Sequence, residues 1–78
     1  MEKSELSQDQ RKVICLLADS YWLSLNDSGW HFYPGGLPLS QDTDLGGMLD
    51  AGIIRRLGGS NRIELTDEGA KMSRGMSY

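Results

Sequence analysis

Apolar side chains recur at Val13, Ile14, Leu16, Leu17, Tyr21 and Leu25, and the spacings 13-16-17 and 14-17-21-25 are those of one helical face. They predict a helix over residues 8–23. Ser7 and Gln10 stand three apart at its start, so hydroxyl and amide can each satisfy an orphan backbone donor of the first turn, a capping box. Asn26-Asp27-Ser28-Gly29 ends the pattern, with Gly29 free to take a positive φ. Trp30-His31-Phe32-Tyr33 then reads as a short strand or an ordered loop, stopped by Pro34-Gly35-Gly36. A second helix is expected over 41–51, capped by Ser40 or Thr43, with Asp42 and Asp44 in its first turn where the helix dipole favours anions. Leu45, Met48 and Leu49 form its apolar stripe, and Gly52 terminates it. Gly46 and Gly47 lower its intrinsic stability by about 1 kcal/mol each relative to alanine, so it must lean on tertiary packing.

Two β-prone runs, Ile53-Ile54-Arg55-Arg56-Leu57 and Arg62-Ile63-Glu64-Leu65, flank Gly58-Gly59-Ser60-Asn61 and predict a hairpin. Thr66 is placed to cap a last short helix, with Asp67 and Glu68 in its first turn and Met72 facing inward. Residues 1–6 and 74–78 are expected to fray. Five of the six aromatic residues fall between Tyr21 and Tyr33, which predicts a core built around Trp22, Trp30 and Phe32. At 78 residues the chain has room for one domain, 1–78, and a core this small depends on aromatic packing.

Composition narrows the function classes. The longest apolar run, from Val13 to Ala18, is six residues, against roughly 20 needed to cross a bilayer. No basic segment precedes a long apolar stretch, so the reading expects no signal peptide, no membrane and a cytoplasmic location. One cysteine, Cys15, and one histidine, His31, exclude an internal disulfide framework and a four-cysteine zinc site. Cys15 sits among Ile14, Leu16 and Leu17 and reads as an inert core thiol, and His31 between two aromatics reads as a packing or loop residue. Asp42 and Asp44 at a helix start fan apart rather than converge as an acid and base. The reading is therefore of a protein that is not an enzyme, with no cofactor and no metal.

The net charge of −3 conceals an asymmetry. Residues 1–54 sum to −5 and residues 55–78 to +2, and no lysine or arginine lies between Val13 and Ile54. Any element of that stretch that met a phosphate backbone would offer it carboxylates.

Met48-Leu49-Asp50-Ala51-Gly52-Ile53-Ile54-Arg55-Arg56, followed by a glycine-bearing hairpin and Ile63-Glu64-Leu65-Thr66-Asp67-Glu68-Gly69-Ala70-Lys71-Met72, resembles the second half of a winged-helix domain of MarR-like regulators. There a helix ends in leucine-x-x-x-glycine-leucine-isoleucine, runs into a β-wing, and the wing returns through aromatic-x-leucine-threonine-x-x-glycine into a helix. The segment from Arg11 to Leu17 is similar to that family's first helix. The resemblance implies an α+β, mostly α fold, a small reduced winged-helix-like domain ordered helix, loop or strand, helix, hairpin wing, short helix. The chain departs from the family in having a glycine- and proline-rich segment over 26–39 where a further helix would stand.

Two functional readings follow. In the first, the protein is a binding module that regulates or inhibits a larger protein or nucleoprotein complex with a basic surface. Asp42, Asp44 and Asp50 would face the partner's cations and Trp30 and Tyr33 would anchor the contact. Its size and acidity are similar to those of small phage and mobile-element proteins, some of which block restriction or CRISPR complexes. In the second, it is a winged-helix transcriptional regulator, a possible homodimer, that binds duplex DNA. Arg55, Arg56, Asn61 and Arg62 on the wing and Gln41 and Thr43 on the preceding helix would carry that contact. The cation-free helix over 41–51 places the first reading ahead.

Overall fold

The computed structural model describes residues 3–58 and 61–77. After a single 3-10 turn at Lys3–Glu5, the elements run α1 (Gln8–Ala18), β1 (Trp22–Asn26), β2 (Gly29–Tyr33), β3 (Leu37–Pro38), α2 (Leu45–Asp50), β4 (Ile54–Arg56), β5 (Arg62–Leu65) and α3 (Asp67–Ser73). The strands form one antiparallel sheet in the order β3-β2-β1-β5-β4. The mostly α, winged-helix-like layout is thereby corrected: the fold is 36% helical and 26% strand. The segment over 26–39, expected as loop with a strand or ordered loop at 30–33, supplies β2 and β3, and the end of the expected first helix becomes the start of β1.

The correction has a local cause. Helix α1 stops at Ala18, and Ser20 takes φ 71°, which turns the chain out of the helix. From Trp22 the period changes from helical to two: Leu23 is fully buried while Trp22 and Ser24 are half-buried and point the other way. Asn26-Asp27-Ser28-Gly29 closes a hairpin rather than a helix, with Gly29 at φ 106° and Asn26 Oδ1 accepting from the Ser28 amide at 2.8 Å. A β-carbon at Gly29 would be strained there.

Cross-strand partners share a face, so the register sorts the sheet residues. Leu23 pairs with Phe32 and Ile63, Leu25 with Trp30, Ile54 with Leu65, and Ile63 with Arg56. These occupy the inner face. Trp22 with Tyr33, Ser24 with His31 and Arg62, and Arg55 with Glu64 occupy the outer one. Val13, Ile14 and Leu17 of α1 and Met48 of α2 pack with Leu23, Phe32, Ile53, Ile54 and Ile63 in one cluster, so the helical layer covers the inner face. Phe32 lies at the centre of this core with no exposed surface. The two tryptophans expected beside it are only half-buried and lie on opposite faces.

The N-terminal caps follow the sequence reading for two helices. Ser7 and Gln10 form the capping box of α1, and Thr66 caps α3 through the Gly69 amide. The Thr66 hydroxyl also lies 2.5 Å from Gly52 O and 2.8 Å from Ile53 O, so its proton is shared between two carbonyls of the turn after α2. Gly69 is buried against that turn. A β-carbon there would collide with the Ile53 carbonyl and come within 2.6 Å of Leu65 Cδ1. Leu6, expected in a frayed segment, is 4% exposed and belongs to the core, and Met76 packs against it. Residues 1, 2 and 78 of the expected frayed ends, and Gly59 and Ser60 of the hairpin turn, lie outside the described residues.

Helix α2 is shorter than expected. Its cap is Asp44, whose Oδ1 accepts from the Gly47 amide at 2.9 Å, and Asp42 lies in the turn before it. Met48 is fully buried and Leu45 half-buried, while Leu49 is 37% exposed and outside the expected stripe.

Candidate functional site

One polar side chain fixes where the loop before α2 meets the rest of the fold. Gln10 is 5% exposed, the only buried polar residue among those described. Its Oε1 accepts from the Ser7 amide at 2.9 Å and its Nε2 donates to Asp44 O at 3.1 Å. The amide that caps α1 thus also holds the start of α2. Leu39, buried in the core, anchors the other end of the loop, and its amide donates to Trp30 O at 3.0 Å.

Between this loop and the β1–β2 turn lies an open cleft of about 700 Å³. Leu25, Trp30, Leu39 and Leu45 give it apolar walls, and Asp27 and Asp44 supply carboxylates. Gln41 and Thr43 line it as well, and Thr43 Oγ1 is buried there without a hydrogen-bond partner. Leu25 is 36% exposed, an apolar surface open to a ligand. Across the inner face, the Arg56 guanidinium stands 5.7 Å from the Trp30 ring centroid and donates to Asn61 Oδ1 at 2.8 Å.

The residues singled out in the sequence divide among these places. Trp30 and Asp44 meet at the cleft, with Asp42 exposed on the adjoining turn. Asp50, the last residue of α2, does not line it, and Tyr33 lies on the outer face of the sheet. Of the proposed nucleic-acid residues, Gln41 and Thr43 line the cleft, and Arg56 and Asn61 sit together beside Trp30. Arg55 and Arg62 are on the outer face, so the three wing arginines do not form one patch. Asp44 has a structural task as a cap, whereas Asp27 and Asp42 cap no helix.

Sequence reasoning missed Leu25, Asp27 and Trp22 as surface-forming residues. The alternation in Trp22-Leu23-Ser24-Leu25 and the turn residues after it were the available signal, overridden by the helical spacing that ran into them.

Cys15 lies half-buried on α1 with its Sγ 3.7 Å from Met76 O. Burial pushes its thiol above the ordinary range, against a smaller opposing pull from the Arg11 charge. His31 Nδ1 lies 3.0 Å from Gly29 O, a group that only accepts, so Nδ1 carries a proton and donates. Among the described residues no three His, Cys, Asp or Glu side chains stand close enough to hold a metal ion. Nor is any described helix long and apolar enough to cross a membrane. No protein-family model matches the chain, and no curated protein or solved structure matches it either.

Proposed function

We propose that this protein is a non-enzymatic binding module, acting in the cytoplasm, whose acidic cleft takes a basic segment of a larger protein or nucleoprotein assembly and so regulates or inhibits it. The observation that carries this reading is the cleft itself: Leu25, Trp30 and Leu45 offer apolar contact while Asp27 and Asp44, with Asp42 alongside, provide negative charge. An arginine or lysine side chain fits both requirements, its aliphatic stem along the apolar wall and its charged head at a carboxylate. Aromatic anchors beside charge pairs are what give such contacts both affinity and specificity.

The test is titration of the isotope-labelled protein with an arginine- and lysine-rich peptide, followed by amide shifts at 50 and 200 mM salt. Shifts should concentrate in residues 25–30 and 39–46 and weaken as salt rises. The double variant Asp27→Lys, Asp42→Lys, which leaves every helix cap intact, should weaken binding by about tenfold or more. Shifts centred elsewhere, or binding unchanged in the double variant, would count against the cleft.

A further inference from the structure

We propose that the outer face of the sheet, where Trp22, Tyr33 and Arg62 stack in series beside Arg55, is a platform for the unpaired bases of a single-stranded nucleic acid. The helical layer lies on the opposite side of the sheet. On this face the Trp22 and Tyr33 rings stack with centroids 6.3 Å apart and planes 25° apart, and the Arg62 guanidinium lies 4.6 Å over Trp22. Asn26 Nδ2 donates to the Tyr33 hydroxyl at 3.0 Å, which steadies that ring. His31 stands on the same face with Ser24 as its cross-strand partner.

The chemistry of the face selects its occupant. Apart from Pro38, the cross-strand partner of His31, no side chain on this face is aliphatic. A second protein surface packing dry against the sheet would have to desolvate the Arg62–Glu64 ion pair. Flat rings and guanidinium planes suit nucleobases, each of which has a π face to offer. Charge agrees. Two arginines share one carboxylate, Arg62 in an ion pair with Glu64 at 3.2 Å and Arg55 opposite Glu64 across the strands. The sheet face itself carries two arginines against one carboxylate, with Asp67 and Glu68 lining the pocket next to Arg55, in a chain whose net charge is −3. Duplex DNA hides its base faces, so it could use only the two arginines here, and two phosphate contacts hold a duplex weakly.

The experiment is fluorescence anisotropy of 5′-labelled twelve-nucleotide oligothymidylate, the matching oligouridylate and a twelve-base-pair duplex, each titrated with the protein at 50 and 200 mM salt. Both single strands should bind, with DNA and RNA distinguished by their ratio, and the duplex should bind at least several-fold more weakly. With two phosphates neutralised, the fourfold rise in salt should weaken single-strand binding about sevenfold. Arg55→Gln, at an exposed position, should cut the salt dependence by about half. Tyr33→Leu should weaken binding about fivefold or more with the salt dependence unchanged. Oligonucleotide should quench tryptophan emission in the native protein and not in Trp22→Phe, which retains Trp30. The proposal is overturned by absence of single-strand binding at 50 mM salt, by a duplex bound as tightly, by an unchanged Arg55→Gln, or by self-association that protects this face. Loss of the cleft reading would leave it standing, because the two share only Asn26.

Discussion

Gln10 joins α1 to the loop before α2 through a single amide group, with its oxygen accepting from one element and its nitrogen donating to the other. Gln10→Glu keeps the capping oxygen and removes the donor, leaving a buried carboxylate against the Asp44 carbonyl. It should lower stability by about 1–3 kcal/mol at pH 7, measured by urea unfolding. Burial and the facing carbonyl raise the introduced carboxyl's pKa in the folded state, so the loss should shrink as pH falls and that group is protonated. An equal loss at pH 7 and at about pH 5 would show that the donor to Asp44 matters less than packing. At Cys15 the sign runs in a parallel way. Burial favours the neutral thiol, so its contribution is present below the ordinary thiol pKa and is lost as pH rises through the raised value. The rate of alkylation by iodoacetamide should accordingly reach half its plateau above the ordinary thiol range, near 8.5. A midpoint below that range would mean the thiol is open and activated by Arg11.

Among the elements, α2 has the least intrinsic support: six residues, two of them glycine, held by the Asp44 cap and by Met48 in the core. A β-carbon at Gly46 meets only Asp44 Oδ1, at an ordinary 3.7 Å. Gly46→Ala should therefore raise stability by about 0.4–1 kcal/mol, a few degrees in Tm for a domain of this size. An unchanged or lower Tm would mean that α2 is distorted away from helical geometry at that position. The same element shows what could be read in the sequence. The caps of α1 and α3, the β4–β5 hairpin and the existence of α2 follow from short-range chemistry: Ser7 with Gln10, Thr66 with Gly69, two β-prone runs around glycines. The boundary between α1 and β1 does not, because Leu17, Tyr21 and Leu25 continue the helical spacing across the break at Ser20, where the Asp19 and Tyr21 amides both donate to Leu16 O. Strand β2 is ambiguous in the sequence for a related reason: its pairing partners are β1 and β3, and the helical spacing masks β1. The cleft inherits that miss, since half of its wall is the turn the break creates.

At the scale of the whole molecule, the helical layer on one side of a five-stranded sheet separates two chemistries that lie close together in the chain. Trp30 and Tyr33, three residues apart, face opposite sides, as do Arg55 and Arg56. Net charge is therefore a poor guide to what each side meets. The sheet order has a further consequence for how the protein comes into being. Strand β1 sits between β2, seven residues after its start, and β5, which begins forty residues after it. The β1–β2 hairpin can close as soon as it is made, but Leu23 has no partner on its other side until Ile63 has been synthesised. A nascent chain leaving the ribosome thus carries an open strand edge through most of its length. Its final assembly waits on a late, long-range pairing, and that interval is when the chain is most exposed to association with other nascent chains.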